Sequence, residues 1–350
     1  MTPPLRIAQI APVAVSVPPP LSGSIESLTA LLTDGLVAAG HAVTIFATGE
    51  SRTQATLHAT FARGYREDPG NWPWELCEMI NISAAIERAA AFDVIHYQAK
   101  YHPFALPFGR LSNVPVVITL HHAPGEHEVA LWARHYPDTP FTAISHAQAR
   151  SMTGLNVVGV VPHAIDVPAF PFAPEPRDYL LFLGRFVDGK GALQAIDVAR
   201  RVRMPLVLAA EANDYYREKV APLVDGTSLV FAGEVTAAAK AALLGGARAL
   251  LYPVQSGEPF GLVLAEATTC GTPVAALDRG AVREVVEDGV TGGVFGSLDA
   301  LIEGLPRVLA LDRARVRAVA AERFSVERMV AGYTDVYAAL AGRTARAESR

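Results

Sequence analysis

Cysteine is scarce in this chain: Cys77 and Cys270 are the only two among 350 residues. They stand far apart with no metal-ligand spacing, which excludes a disulfide-stapled scaffold and a zinc site and fits a reducing compartment. A surplus of positive charge is also lacking. Thirty Lys and Arg face 35 Asp and Glu, for a net charge of -5, so the chain carries no electrostatic footprint for nucleic acid. No apolar run approaches the roughly 20 residues needed to span a bilayer. The opening Met1-Thr-Pro-Pro-Leu-Arg-Ile has neither the charged nor the apolar region of a secretory leader. A cytoplasmic protein is expected, with peripheral membrane contact still compatible. Two ligand motifs are missing as well: no Gly-x-Gly-x-x-Gly and no Asp-x-Asp occurs.

What is present is an apolar, glycine-rich and proline-rich sequence (51% hydrophobic, 28 Gly, 25 Pro) long enough for two domains with separate cores. Residues 5–11 read as a strand, and a loop of prolines and small residues follows. A helix from about Ile25 presents Leu28, Leu31, Leu32 and Leu36 on one face and stops at Gly40. Residues 41–47 read as the next strand. A βαβ unit places its ligand site at the carboxyl ends of its strands, here at Ser22, Gly23 and Ser24. A helix N-cap by Ser24 accounts for that loop almost as well. Residues 51–74 are polar and irregular, as in an insertion. Further apolar strands are expected at 93–97, 114–120, 141–145 and 157–161, in a parallel sheet covered on both faces. His96, His121, His122 and Ser145 cluster near the ends of these strands, where ligand groups sit. His127 adds a third histidine to that region, yet no cysteine or carboxylate cluster completes a metal site.

Five prolines (Pro162, Pro168, Pro171, Pro174 and Pro176) mark a linker, and a second βα alternation follows it. Its strands are expected at 179–184, 205–210, 229–233, 249–253 and 273–276. In the turn after the first of them, Arg185 and Lys190 stand at a helix start. A fixed guanidinium and a flexible ammonium there suit a diphosphate. The stretch from Glu258 to Glu266 is the most informative. Glu258 lies in a loop, a helix runs from Leu262 to Thr269, and Gly271 stops it. The amides of Phe260, Gly261 and Leu262 are orphan donors at a helix N-terminus, which favours an anion. Two carboxylates flanking such donors suit a ligand with many hydroxyls and a phosphate, such as a sugar nucleotide. Val330, Tyr333, Tyr337 and Leu340 form a helical stripe that starts after Ser325.

Several motifs in order resemble the retaining glycosyltransferases of family 4, which have the GT-B fold. They are Gly184-Arg185-x4-Lys190-Gly191, Glu258-Pro-Phe-Gly-x4-Glu266-Ala267 and Cys270-Gly-Thr-Pro-Val274, with Gly40-His-Ala-Val43 and Glu284-Val-Val-Glu-Asp-Gly-Val-Thr-Gly292. The resemblance covers nearly the whole chain. It implies an α/β protein of two doubly wound Rossmann-like domains facing an inter-domain cleft. Residues 1–168 would form the acceptor side, 169–324 the donor side, and 325–342 a helix returning to the first domain. It implies that Arg185 and Lys190 neutralise the donor's diphosphate, that Glu266 meets the ribose hydroxyls, and that Glu258, with Phe260, Gly261 and Leu262 beside it, meets the donor sugar. Gly23 and Ser24 would approach the diphosphate from the first domain, and His121 would lie near the transferred sugar. Ser24 stands where the family often has a second glycine, and His163-Ala-Ile-Asp166 stands where many members have Asn-Gly-x-Asp.

The reaction so implied is transfer of a sugar from a nucleoside diphosphate, UDP or GDP being favoured, to an unidentified acceptor that is a saccharide, a lipid-linked molecule or a small molecule. The family scheme retains anomeric configuration and needs neither metal nor cofactor. The leaving phosphate helps to deprotonate the acceptor. Residues 51–74 and 121–136 are the expected acceptor readers. Two other readings are a nucleotide-sugar epimerase of the same fold and a non-catalytic protein that binds sugar nucleotides.

Overall fold

The computed structural model describes residues 3–21, 23–99 and 102–348. Ser22, named above at the first loop, lies outside them. The chain forms two compact units, one of residues through Ala164 together with those from Val326 onward, the other Ile165–Ser325.

The first unit is built on seven strands: β1 (Arg6–Ile10), β2 (Ala42–Thr48), β3 (Thr56–Phe61), β4 (Val94–Tyr97), β5 (Val116–Thr119), β6 (Pro140–Ala143) and β7 (Asn156–Val160). They pair in parallel in the order β3-β2-β1-β4-β5-β6-β7. The second unit has six: β8 (Leu180–Leu183), β9 (Leu206–Ala209), β10 (Leu229–Gly233), β11 (Ala249–Tyr252), β12 (Val274–Leu277) and β13 (Gly292–Phe295), in the order β10-β9-β8-β11-β12-β13. Each order reverses beside its first strand, so each sheet has a switch point where a ligand can enter at the carboxyl ends. Central strands β4, β5, β11 and β12 are buried along their whole length, because helices cover both faces.

Two segments differ from expectation. Residues 51–74 are not wholly irregular, since β3 lies within them and pairs with β2. As an edge strand it is half exposed, so it tolerates Thr56, His58 and Thr60 and lacks the apolar run that reveals a central strand. Within 121–136 the helix Glu126–His135 replaces a plain loop. Glu128 accepts from the Gly125 amide at 2.9 Å, capping its start, and Val129 and Trp132 bury one face.

The helix Val326–Glu348 belongs to the first unit. Met329, Val330, Tyr333, Val336, Tyr337 and Leu340 recur at helical spacing and pack with Leu5, Ile7, Leu32 and Val43. A buried polar network fastens it. His96 hydrogen bonds with the Tyr337 hydroxyl at 2.6 Å and with Thr119 Oγ1 at 2.7 Å, and Thr119 Oγ1 meets the Tyr333 hydroxyl at 3.0 Å. Gln9 donates to the Tyr337 hydroxyl at 2.9 Å. His96 is therefore not a ligand group past the end of its strand. It sits inside β4 with no exposure, and burial, with His121 adding, drives its imidazole well below the ordinary value, so the ring is neutral.

In the second unit Arg313, 8% exposed, donates to the carbonyls of Ala173, Gly245 and Ala247 and to the Thr272 hydroxyl. Arg317 donates to the carbonyls of Phe170 and Thr269. These guanidiniums satisfy terminal carbonyls of the helices Ala237–Gly246 and Leu262–Thr269. They fix the two helices that carry charged groups of the site described below.

The loop after β1 is held from the helix Trp74–Ile86. Glu78, 2% exposed, accepts from the Val13 amide at 3.2 Å. Burial pushes its carboxyl up to about 8, against the Val13 hydrogen bond, with Glu26 raising it further and Tyr65 lowering it. A folded pKa above the unfolded value of 4.5 means that the unfolded chain releases the proton first. Stability is then lost as pH rises through this window. Glu78→Gln should raise stability by a few kcal/mol near pH 8 and by little near pH 4.5, read from denaturant unfolding at both. An equal effect at the two would contradict a buried neutral carboxyl.

Candidate active site

Most of the expected donor residues meet in the second unit, around the connection from β11 to the helix Leu262–Thr269. The connection is shaped by its neighbours. The Gln255 amide donates to the Gly189 carbonyl at 2.9 Å, and the Ala281 amide donates to the Glu258 carbonyl at 2.7 Å. Two glycines make this approach feasible. A Cβ on Gly191 (φ +81°) would lie 2.1 Å from the Pro253 carbonyl oxygen, and one on Gly280 (φ +61°) would lie 2.3 Å from that of Glu258. The turn carrying Lys190 is thereby pressed against the loop carrying Glu258.

Glu258 is 6% exposed, and its Oε2 accepts from Lys190 Nζ at 2.6 Å. The same oxygen accepts from the Tyr252 hydroxyl, at the end of β11. Burial, with Glu258 adding, pushes the Tyr252 phenol far above its ordinary range, so it stays a donor. Eight residues on, Glu266 Oε1 accepts from Lys240 Nζ at 2.6 Å. Among the described residues, Glu258 Oε1 and Glu266 Oε2 have no hydrogen-bond partner. Each carboxylate thus has one oxygen fixed by an ammonium and one uncommitted.

Between them the helix begins at Leu262 with Gly261 as its N-cap in the left-handed region (φ +90°), and no side chain caps it. The Leu264 amide already donates to the Gly261 carbonyl at 2.9 Å, and a helix start without a side-chain cap favours an anion at its leading amides. Phe260 contributes only backbone here, because its side chain is 3% exposed and packs edge-on against Phe324. Arg185 is exposed and is not in contact with Lys190 or either carboxylate. Its charge nonetheless reaches Tyr252, lowering that phenol's pKa against the larger upward causes.

The remaining expected residues lie in the first unit. Gly23 is the N-cap of the helix Ser24–Ala38, and Ser24 is its first residue, so Ser24 does not cap it. His121, half-buried, stacks on His163 with ring centroids 5.3 Å apart and planes 18° from parallel. His163 is 5% exposed, and burial, with His121 adding, holds its imidazole well below the ordinary value. Ser145 is a helix cap, accepting from the Gln148 amide at 2.9 Å, and is not a ligand group. His122 is exposed, and its carbonyl accepts from Gln148. No group of three or more metal-ligating side chains occurs among the described residues.

The site roles of three groups escape a reading of the sequence, although Asp278–Ala281 is legible as a small-residue turn at a strand end. Lys240 is the lone charge in an alanine-rich helix, Tyr252 is the last residue of a buried strand, and Gly280 closes a turn more than twenty residues from Glu258. The one local signal in the sequence is a glycine in a small-residue turn, and the structure gives it a positive φ of +61°.

The chain is similar to known proteins over most of its length. Residues 25–168 match the family described as Glycosyltransferase Family 4, and residues 167–323 match Glycosyl transferases group 1. A phosphatidyl-myo-inositol mannosyltransferase of Mycobacterium leprae is 30% identical over 261 residues, covering 68% of this chain and 69% of its own. The same-named protein of Mycobacterium tuberculosis is 28% identical over 359 residues and 93% of each chain. Among solved structures, a glycosyltransferase involved in avilamycin A biosynthesis superposes with a TM-score of 0.74 at 25% identity, covering 97% of this chain and 98% of its own. An Anabaena protein in complex with UDP and glucose superposes with a TM-score of 0.72 at 17% identity, over 96% and 100%. The chain belongs to the family 4 glycosyltransferases and has their GT-B architecture of two Rossmann-like sheets.

Proposed function

We propose that this glycosyltransferase moves a sugar from a nucleoside-diphosphate donor to its acceptor with retention of anomeric configuration and without a metal ion. The observation that carries the reading is the pair of Lys–Glu contacts flanking an uncapped helix N-terminus. The first amides of the helix and the Lys190 ammonium would take the diphosphate, with Arg185 supplying a second positive charge. As the glycosidic bond breaks, negative charge grows on the leaving diphosphate, and fixed donors at that place lower the barrier. Lys190 is partly buried and aimed by Glu258, so little reorganisation is needed. The uncommitted Glu258 Oε1 would accept from a hydroxyl of the donor sugar, and Glu266 Oε2 from the ribose.

Gly23, Ser24 and His121 are assigned by the sequence motif to the diphosphate approach and to the transferred sugar. The stacked, neutral His163 supports a fixed ring at His121. A UDP- or GDP-sugar is the favoured donor. The Anabaena fold relative was solved with UDP and glucose, and the mycobacterial relatives are named mannosyltransferases. Their name also favours a lipid-linked polyol or saccharide as acceptor, met at a membrane surface. No described helix is long and apolar enough to cross a membrane.

Lys190→Ala should slow donor turnover about tenfold to a hundredfold, the worth of one charge-assisted contact, in buffer containing a chelator. Unchanged turnover, or activity that appears only with added divalent metal, would remove the assignment. Gly280→Ala should displace the Glu258 backbone and raise the donor KM by about tenfold or more, since its Cβ has no room. Circular dichroism of the variant should match the wild type. A normal KM would show that the turn at Gly280 does not place Glu258.

A further inference from the structure

Glu266 owes its direction to two features. On the helix Leu262–Thr269, residues 264, 265, 267, 268 and 269 are buried, whereas Leu262, Val263 and Glu266 share the less buried face. Glu266 therefore leaves the helix on the side of its own N-terminal turn. Lys240, from the helix Ala237–Gly246, then reaches Glu266 Oε1 at 2.6 Å.

Lys240 is itself held. Its ammonium lies 5.3 Å from the centre of the Phe170 ring, whose backbone carbonyl is fixed by Arg317 at 2.6 Å. The side chains of Lys240 and Glu266 are 28% and 12% exposed, unlike pairs such as Arg201–Asp299 at 46% and 74%. Exposed pairs of that kind contribute little and exchange freely. A pair this sheltered keeps a carboxylate in one rotamer, which an exposed glutamate would not hold. An ammonium can only donate, so it consumes one carboxylate oxygen and leaves the other as an acceptor. A vicinal diol whose two hydroxyls both donate is the ligand chemistry that such a fixed oxygen suits.

We infer that Lys240 is a positioning residue of the donor site, which locks Glu266 Oε1 so that Oε2 is presented to the ribose diol of the nucleotide. The inference rests on the proposed nucleotide-sugar reading. Lys240 touches no reacting atom, and its effect is on donor affinity and on recognition of the ribose.

The test compares affinities for a ribonucleoside diphosphate and its 2′,3′-dideoxy analogue by calorimetry, with donor KM and kcat measured alongside. The wild type should prefer the ribonucleotide by about tenfold or more, one or two hydrogen bonds to a charged acceptor. Lys240→Met keeps the apolar stem against Phe170 and should bring that ratio close to one while raising KM with kcat little changed. Lys240→Arg should retain the preference. A wild-type ratio that survives intact in Lys240→Met overturns the inference. No preference in the wild type would instead overturn the ribose reading of Glu266, and the inference with it. Thermal unfolding checks each variant, and Lys240→Gln provides the comparison should Lys240→Met not fold.

Discussion

A carboxylate at 6% exposure cannot stand alone in a protein, and the way Glu258 is accommodated organises the second unit. Removing a charge from water costs several kcal/mol unless a counter-ion and further hydrogen bonds replace the lost hydration. Lys190 and Tyr252 provide both on a single oxygen. Bringing them there requires the 185–191 turn, the end of β11 and the Asp278–Ala281 turn to converge. That convergence is sterically possible only with glycine at 191 and 280. Among the described residues, one Glu258 oxygen is doubly engaged and the other has no hydrogen-bond partner.

The doubly wound sheet explains why this happens at one place. Residues leaving the carboxyl ends of β8, β11 and β12 are neighbours, because those strands are adjacent although distant in sequence. The helix after β11 adds its uncapped amides, and the arginines at 313 and 317 hold the far ends of the two helices that supply Lys240 and Glu266. A network around His96 does comparable work in the first unit, joining β1, β4 and β5 to the final helix through Gln9, Thr119, Tyr333 and Tyr337.

Much of this is legible in the sequence where local pattern decides the structure. Continuous apolar runs reveal β4, β5, β8 and β11, and the span Leu262–Thr269 is readable to the residue, with Gly271 as its stop. Glu258 and Glu266 stand out by spacing around that helix start. The edge strand β3 is hidden because half exposure removes its apolar signature, and β13 is hidden by its paired glycines. His96 looks like a ligand because it lies near the end of a strand in the sequence, yet the partner that absorbs it, Tyr337, lies 241 residues away. Lys240 is silent for the same reason, since its role is set by a partner on another helix. Side chains whose meaning comes from long-range pairing are what a single sequence conceals.

In the proposed function the second unit holds a nucleoside diphosphate with protein charges alone. Calorimetric titration of the wild-type protein with UDP and with GDP, each in excess chelator, tests it most directly. The account predicts micromolar binding of at least one of them, with the matching nucleoside lacking phosphate binding far more weakly. Failure of both diphosphates to bind, or binding that requires a divalent cation, would contradict it.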